Sequence, residues 1–222
     1  MSDFISEEEY NISVRNVGER EFFGEIPSRI PETISEEIIT YEFSDDHPVE
    51  DSSDEFLSYL DLASTDNFAR ELLRRSGFEK PSRLLMVGNE IPFGITSTLR
   101  TNVCIVNRRL ESIFLVVGMR VIEKAIATFQ HNNKNRGLDK MIIPCITITG
   151  TFPTFCLVPV TKELSDCVMT GQHPINTTEV LVHAPDVPEK SMKPIDSRKK
   201  ILQCYESFKK FVDELEEQLG RE

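Results

Sequence analysis

Thr101-Asn102-Val103-Cys104-Ile105-Val106-Asn107 and Ser112-Ile113-Phe114-Leu115-Val116-Val117-Gly118, with Val121-Ile122-Glu123-Lys124-Ala125-Ile126-Ala127-Thr128-Phe129 close behind, decide the fold. The first two are near-continuous apolar runs of strand length, the pattern of strands covered on both faces. In the third, Val121, Ile122, Ala125, Ile126 and Phe129 recur at helical spacing, with Glu123, Lys124 and Gln130 opposite. The spacing predicts a helix from Val121 to Asn132. Only Arg108-Arg109-Leu110 and its neighbours join the two runs, so an antiparallel pair is expected. The helix after the second run supplies the crossover that a parallel neighbour requires.

Working outward, Arg83–Glu90 reads as a further strand, linked to the pair through Pro92 and Gly94. Before it, Phe56, Leu57 and Leu60, then Phe68, Ala69, Leu72 and Leu73, recur at helical spacing, with Asp66 as N-cap of the second piece and Gly77 as its stop. Beyond the polar loop Asn133–Lys140 come two strands, Ile142–Thr149 and Phe155–Val160, turned by Gly150 and Pro153. Glu179–His183 reads as a short edge strand closed by Pro185 and Pro188. A long amphipathic helix, Ser197 to Leu219, ends the chain, capped by Asp196 and stopped by Gly220. The expected architecture is α/β: a mixed central β-sheet flanked by helices, with a long C-terminal helix.

The charge is unevenly placed. Of the net −12, residues 1–55 carry 17 acids against three arginines, so the remaining chain is slightly basic. Residues 1–54 are therefore read as an acidic, partly disordered arm with one strand near Ile38–Phe43, Ser44 to Asp54 as a solvated linker, and residues 55–222 as the α/β domain. Such an arm repels phosphate, so nucleic-acid binding is expected to be weak or absent. The longest apolar run, Ile113–Val117, is far too short to cross a bilayer, and MSDFISEEEY lacks a charged-then-apolar leader. Five cysteines without a C-x-x-C pair read as reduced thiols, Cys104, Cys145 and Cys156 among them being core residues. A soluble protein of the cytoplasm or nucleus, with no membrane partner, is expected, in which the Asn11 and Asn176 sequons have no role.

His47, His131, His173 and His183 have no metal-ligand spacing with one another or with cysteine. No nucleophile elbow, P-loop or dinucleotide fingerprint occurs. His131 to Arg136 is a polar, basic loop that caps the preceding helix more readily than it meets a phosphate. Arg198-Lys199-Lys200 opposes the dipole at the start of the last helix, which reads either as a solvated face or as a pairing site for the acidic arm or an acidic partner.

The element order, with Val103-Cys104-Ile105-Val106-Asn107-Arg108, Ile113-Phe114-Leu115-Val116-Val117, Ala125 to Asn133, Pro144 to Thr151 and Arg198 to Val212, resembles a fungal branch of the PD-(D/E)XK nuclease superfamily over roughly residues 55 to 212. The resemblance implies an aspartate and a glutamate holding Mg²⁺, and a lysine two residues beyond the glutamate positioning the attacking water. In this chain those positions fall on Asn102, Gly118 and Arg120. An amide, a hydrogen and a guanidinium cannot reproduce such a site. The expectation is a catalytically inactive nuclease-like domain acting as a binding or regulatory module, with a protein partner, no cofactor, no metal, and Met119 plugging the old cleft.

The competing reading is a divergent Mg²⁺-dependent nuclease with a migrated carboxylate. Glu71, Glu90, Glu111 and Glu123 are then the nearby candidate acids, Glu71 and Glu123 foremost, with Gln130 in support. With no paired acid at suitable spacing, the reading of these residues as solvated helix and loop charges is favoured. A protein–protein adaptor on an unrelated α/β fold, using the arm and the last helix, is a third expectation.

Overall fold

The computed structural model describes residues 7–43, 54–62, 65–94, 97–109 and 111–220. In chain order its elements are β1 (Ile12–Asn16), α1 (Glu19–Phe23), α2 (Glu36–Thr40), α3 (Glu55–Leu62), α4 (Thr65–Arg75), β2 (Arg83–Val87), β3 (Glu90–Phe93), β4 (Ser97–Arg100), β5 (Val103–Asn107), β6 (Ile113–Val117), α5 (Val121–Asn133), β7 (Lys140–Thr149), β8 (Phe152–Thr161), α6 (Lys162–Thr170), β9 (Thr178–His183) and α7 (Ile195–Gly220). Seven strands form one mixed sheet in the order β1-β9-β8-β7-β6-β5-β2.

The meander and the crossover both form. β2, β5 and β6 pair antiparallel, and α5 returns the chain to β7, which lies parallel to β6. Every residue of β6 is buried, so helices cover both faces. Adjacent cross-strand pairs of β7 and β8 show how. Cys145 lies opposite Cys156, and the Cys145 thiol meets the Val121 carbonyl at the start of α5. Ile146 lies opposite Phe155, whose ring packs against Tyr205 and Phe208 of α7. Successive strand residues point to opposite faces, which places α5 and α7 on opposite sides of the sheet. All five cysteines are free thiols, and Cys167 alone of them is not fully buried.

Several expected details give way. β9 is not an edge strand, because β1 pairs with it in parallel and takes the edge. The strand expected near Ile38–Phe43 is the helix α2, where the Ser35 hydroxyl accepts from the Ile38 N–H and local capping wins over β-propensity. Pro153 lies inside β8 opposite Ile148, leaving Gly150, at φ 60, to make the turn. The Pro92/Gly94 link is itself a hairpin of β3 and β4. α6, capped by Thr161 and closed by Gly171 in the left-handed region, has no counterpart in the expected order. Of the solvated linker expected over Ser44 to Asp54, residues 44–53 lie outside the described residues; Asp54 is described, and its carboxylate accepts from Arg75 at 2.8 Å.

Residues 7–43 share the core of the domain. Phe22 and Phe23 of α1 pack among His183, Phe155, Phe208 and Phe211. Each such ring, fully buried, contributes about 2 to 3 kcal/mol. The segment is tied down by residues that raised a conflict in the sequence. Arg198, completely buried, donates to the carbonyls of Ile38 and Tyr41, at 2.7 and 2.9 Å, and to that of Met192. Lys200 pairs with Glu19 at 2.7 Å. Of the two readings of Arg198-Lys199-Lys200, pairing with the arm holds for Arg198 and Lys200. The carbonyl oxygens at the end of α2 carry the partial negative charge that a buried guanidinium needs.

The far end of α7 is fastened by ions. Arg83, 1% exposed, donates to Asp213 at 2.6 Å and to Glu216 at 2.9 Å. Burial pushes the Asp213 carboxyl up, but hydrogen bonds from Lys80 and Arg83 outweigh it and hold the group below its ordinary value. Among the described residues no helix is long and apolar enough to cross a membrane.

Candidate functional site

β5 begins beside the end of β6, Val103 opposite Val117, and the turn from β6 into α5 is only Gly118-Met119-Arg120. Asn102 prolongs the ladder: its N–H donates to the Val117 carbonyl at 3.2 Å, and its carbonyl accepts from Gly88 at 3.0 Å. Gly118 does the same on the other side, donating to Ile146 at 3.0 Å. The Asn102 side chain therefore points into a hollow of about 190 Å³ lined by Asp66, Ala69, Asn102, Val117, Gly118, Met119 and Ile148.

The hollow is already furnished. The Asn102 amide donates to Asp66 Oδ1 at 2.8 Å. A Cβ at Gly118 would fall 2.3 Å from Asn102 Oδ1 and 2.6 Å from Lys124 Nζ. Gly118 also has φ 148, which a side chain rarely tolerates. A glutamate at Gly118 would strain the backbone and force the ends of the Asn102 and Lys124 side chains to shift. Lys124 is 7% exposed, and burial, with help from Arg120, lowers its pKa against the pull of Cys145, Glu123 and Asp66. What stands beside the strand ends is a desolvated ammonium facing one amide and one carboxylate.

Asn102 and Gly118 converge, as the strand register requires. Arg120 adopts a left-handed conformation at the start of α5, and its Nε donates to Glu123 Oε1 at 3.2 Å. Met119 lies on the rim and is 76% exposed, so it leaves the hollow open; the expected plug is corrected.

The alternative acids are held elsewhere. Glu71 takes hydrogen bonds from Arg74 at 2.6 to 3.1 Å, which lower its carboxyl despite burial. Glu123 faces Arg120, and Gln130 donates to Ser165 Oγ at 3.2 Å on α6. Glu90 is exposed on β3, and the Glu111 carbonyl meets His131. The His131–Arg136 segment is structural: Asn132 brackets the backbone of Ile113 at 2.7 and 2.8 Å, and Asn133 brackets Leu138.

The two residues that sequence reasoning missed are Asp66 and Lys124. Asp66 read as a helix cap and Lys124 as a solvated helix charge. A signal existed for Lys124: it stands four residues after Arg120, so on a helix the two share a face that meets the strand ends. Nothing in the sequence ties Asp66 to Asn102.

No protein-family model matches this chain, and neither does any curated protein.

Proposed function

We propose that this is a nuclease-like domain that has lost phosphodiester hydrolysis and serves as a binding or regulatory module for a protein partner, without a cofactor. One observation carries the reading: Lys124 Nζ stands 2.6 Å from the point where a Cβ at Gly118 would lie, the position at which the resemblance expects a metal-binding glutamate. Mg²⁺ demands several anionic or neutral oxygens in an octahedron and sheds water reluctantly. One carboxylate, already hydrogen-bonded to Asn102 and flanked by a fixed positive charge, offers poor purchase. The acidic arm adds to this by disfavouring polyanions.

Purified protein incubated with DNA or RNA and Mg²⁺ or Mn²⁺ is expected to give no cleavage above background. Cleavage that disappears in Asp66→Ala would overturn the reading.

The second reading, a divergent metal-dependent nuclease, now has a specific support. Asp66 is a carboxylate displaced onto the neighbouring helix, and Lys124 a lysine displaced onto the following one, both directed at Asn102. Calorimetry decides between the two. Micromolar Mn²⁺ binding lost in Asp66→Ala favours the enzyme, whereas heats indistinguishable from dilution favour the module.

A further inference from the structure

Glu19, His183 and Cys204 come from α1, β9 and α7, and meet because β1 docks beside β9 and leads the chain straight into α1. A carboxylate oxygen, an imidazole nitrogen and the thiol sulfur lie within 4.8 Å of one another there. His183 is 3% exposed, and its Nδ1 stands 3.0 Å from the Val17 carbonyl. That carbonyl only accepts, so Nδ1 carries the proton and Nε2 the lone pair. Nε2 is buried and, among the described residues, has no hydrogen-bond partner. Such an orphan costs about 1 to 3 kcal/mol in an ordinary core. A backbone carbonyl that fixes one ring nitrogen while the other is left bare is also how proteins orient a metal-ligating histidine.

We propose that Glu19, His183 and Cys204 form a three-ligand site for a zinc-class divalent cation, whose fourth position opens to the adjoining cavity. Glu19 and His183 line that cavity, which measures about 690 Å³. The donor set of one thiolate, one neutral imidazole and one carboxylate suits a borderline-soft tetrahedral ion and not Mg²⁺ or Ca²⁺. Zinc holds such ligands at about 2.0 to 2.3 Å, so neighbouring donors stand about 3.5 Å apart and the trio must contract by about 1 Å. Cys204 sits mid-helix, so the contraction falls on the Glu19 side chain, whose two carboxylate oxygens Lys200 Nζ holds at 2.7 and 2.8 Å. Burial pushes the Cys204 thiol up to about 12, with Glu19 adding to the rise and Lys200 opposing it. Binding therefore releases the thiol proton to solvent as the sulfur–metal bond forms. The Glu19 carboxylate has lone pairs enough to keep Lys200, at 2.7 Å, while ligating the ion.

The site shares no residue with the Asp66 hollow and does not depend on the reading given to it. Full-length protein stripped with chelator is titrated with Co²⁺, followed by its absorption spectrum, and then back-titrated with Zn²⁺. The expected result is intense visible bands of a four-coordinate ion together with a sulfur-to-cobalt charge-transfer band, all displaced by Zn²⁺. Cys204→Ser abolishes the charge-transfer band, and Glu19→Gln weakens binding by about tenfold or more; circular dichroism confirms that each variant is folded. Glu19→Gln guards against a core variant that fails to fold. Absence of these bands in the wild type overturns the proposal. So does binding that survives in both variants, or that is lost in Asp66→Ala, which would put the ion in the other hollow.

Discussion

The hollow beside β5 and β6 and the pocket beneath α1 are both lined by ionisable side chains, yet their polar atoms are committed in opposite ways. In the first, the Asn102 amide and the Asp66 carboxylate engage each other, and a buried ammonium stands against them. In the second, the ring nitrogen of a buried histidine finds no partner among the described residues and stands beside a thiol and a carboxylate. The family resemblance directs attention to the first. The unspent lone pair is in the second, which exists only because the acidic arm folds onto the sheet. Position in a fold and capacity for chemistry are separate properties, and here they diverge.

The strongest perturbation of this contrast is Arg198→Met. It strands the carbonyls of Ile38 and Tyr41 and loosens the arm that delivers Glu19. A loss of about 3 kcal/mol or more is expected from urea unfolding, with faster proteolysis within residues 7–43. A loss below about 1 kcal/mol would mean that the arm stays in place without this tether.

Next comes Gly118→Glu, which places a carboxylate where the nuclease resemblance expects one. The clash with Asn102 and Lys124 and the positive φ predict a destabilisation of about 2 to 3 kcal/mol and no gain of Mn²⁺-dependent cleavage. A gain of cleavage would erase the distinction between the two hollows. Asp66→Ala is milder, since Asn102 can turn to water in the open cavity. It should cost about 1 kcal/mol by thermal denaturation.

The smallest effect is a pH dependence. Burial holds Lys124 below its ordinary 10.5. Just below that value the unfolded chain binds the proton more tightly than the folded one, so stability rises as pH climbs toward 10.5 and is lost as pH falls through the folded value. Urea midpoints compared between about pH 8 and about pH 10 should rise less in Lys124→Met than in the wild type. Equal slopes would show that the ammonium is solvated and the hollow wet.

The centre of the fold was legible because its signals are local. β5, β6 and α5 follow from apolar runs and a helical stripe in one stretch of chain, and the short link and the crossover set their directions. Where legibility failed, a distant contact outweighed a local pattern. β9 reads as an edge strand until β1, more than a hundred residues earlier in sequence, closes it. Arg198 and Lys200 read as helix-surface charge until the arm supplies their partners. The same holds for the candidate site: Asn102 and Gly118 were placed by strand register, but Asp66 and Lys124 were not.

The sequence by itself determined the mixed sheet, the helices flanking it and the absence of acids at Asn102 and Gly118, because periodicity and residue identity are written along the chain. Only the tertiary structure decided what fills the space beside them and what gathers around His183. Those facts depend on side chains from separate elements meeting across a packed core. Glu19 and Cys204 lie at opposite ends of the sequence, and the docking of β1 on β9 is what brings them within one ion's reach of His183.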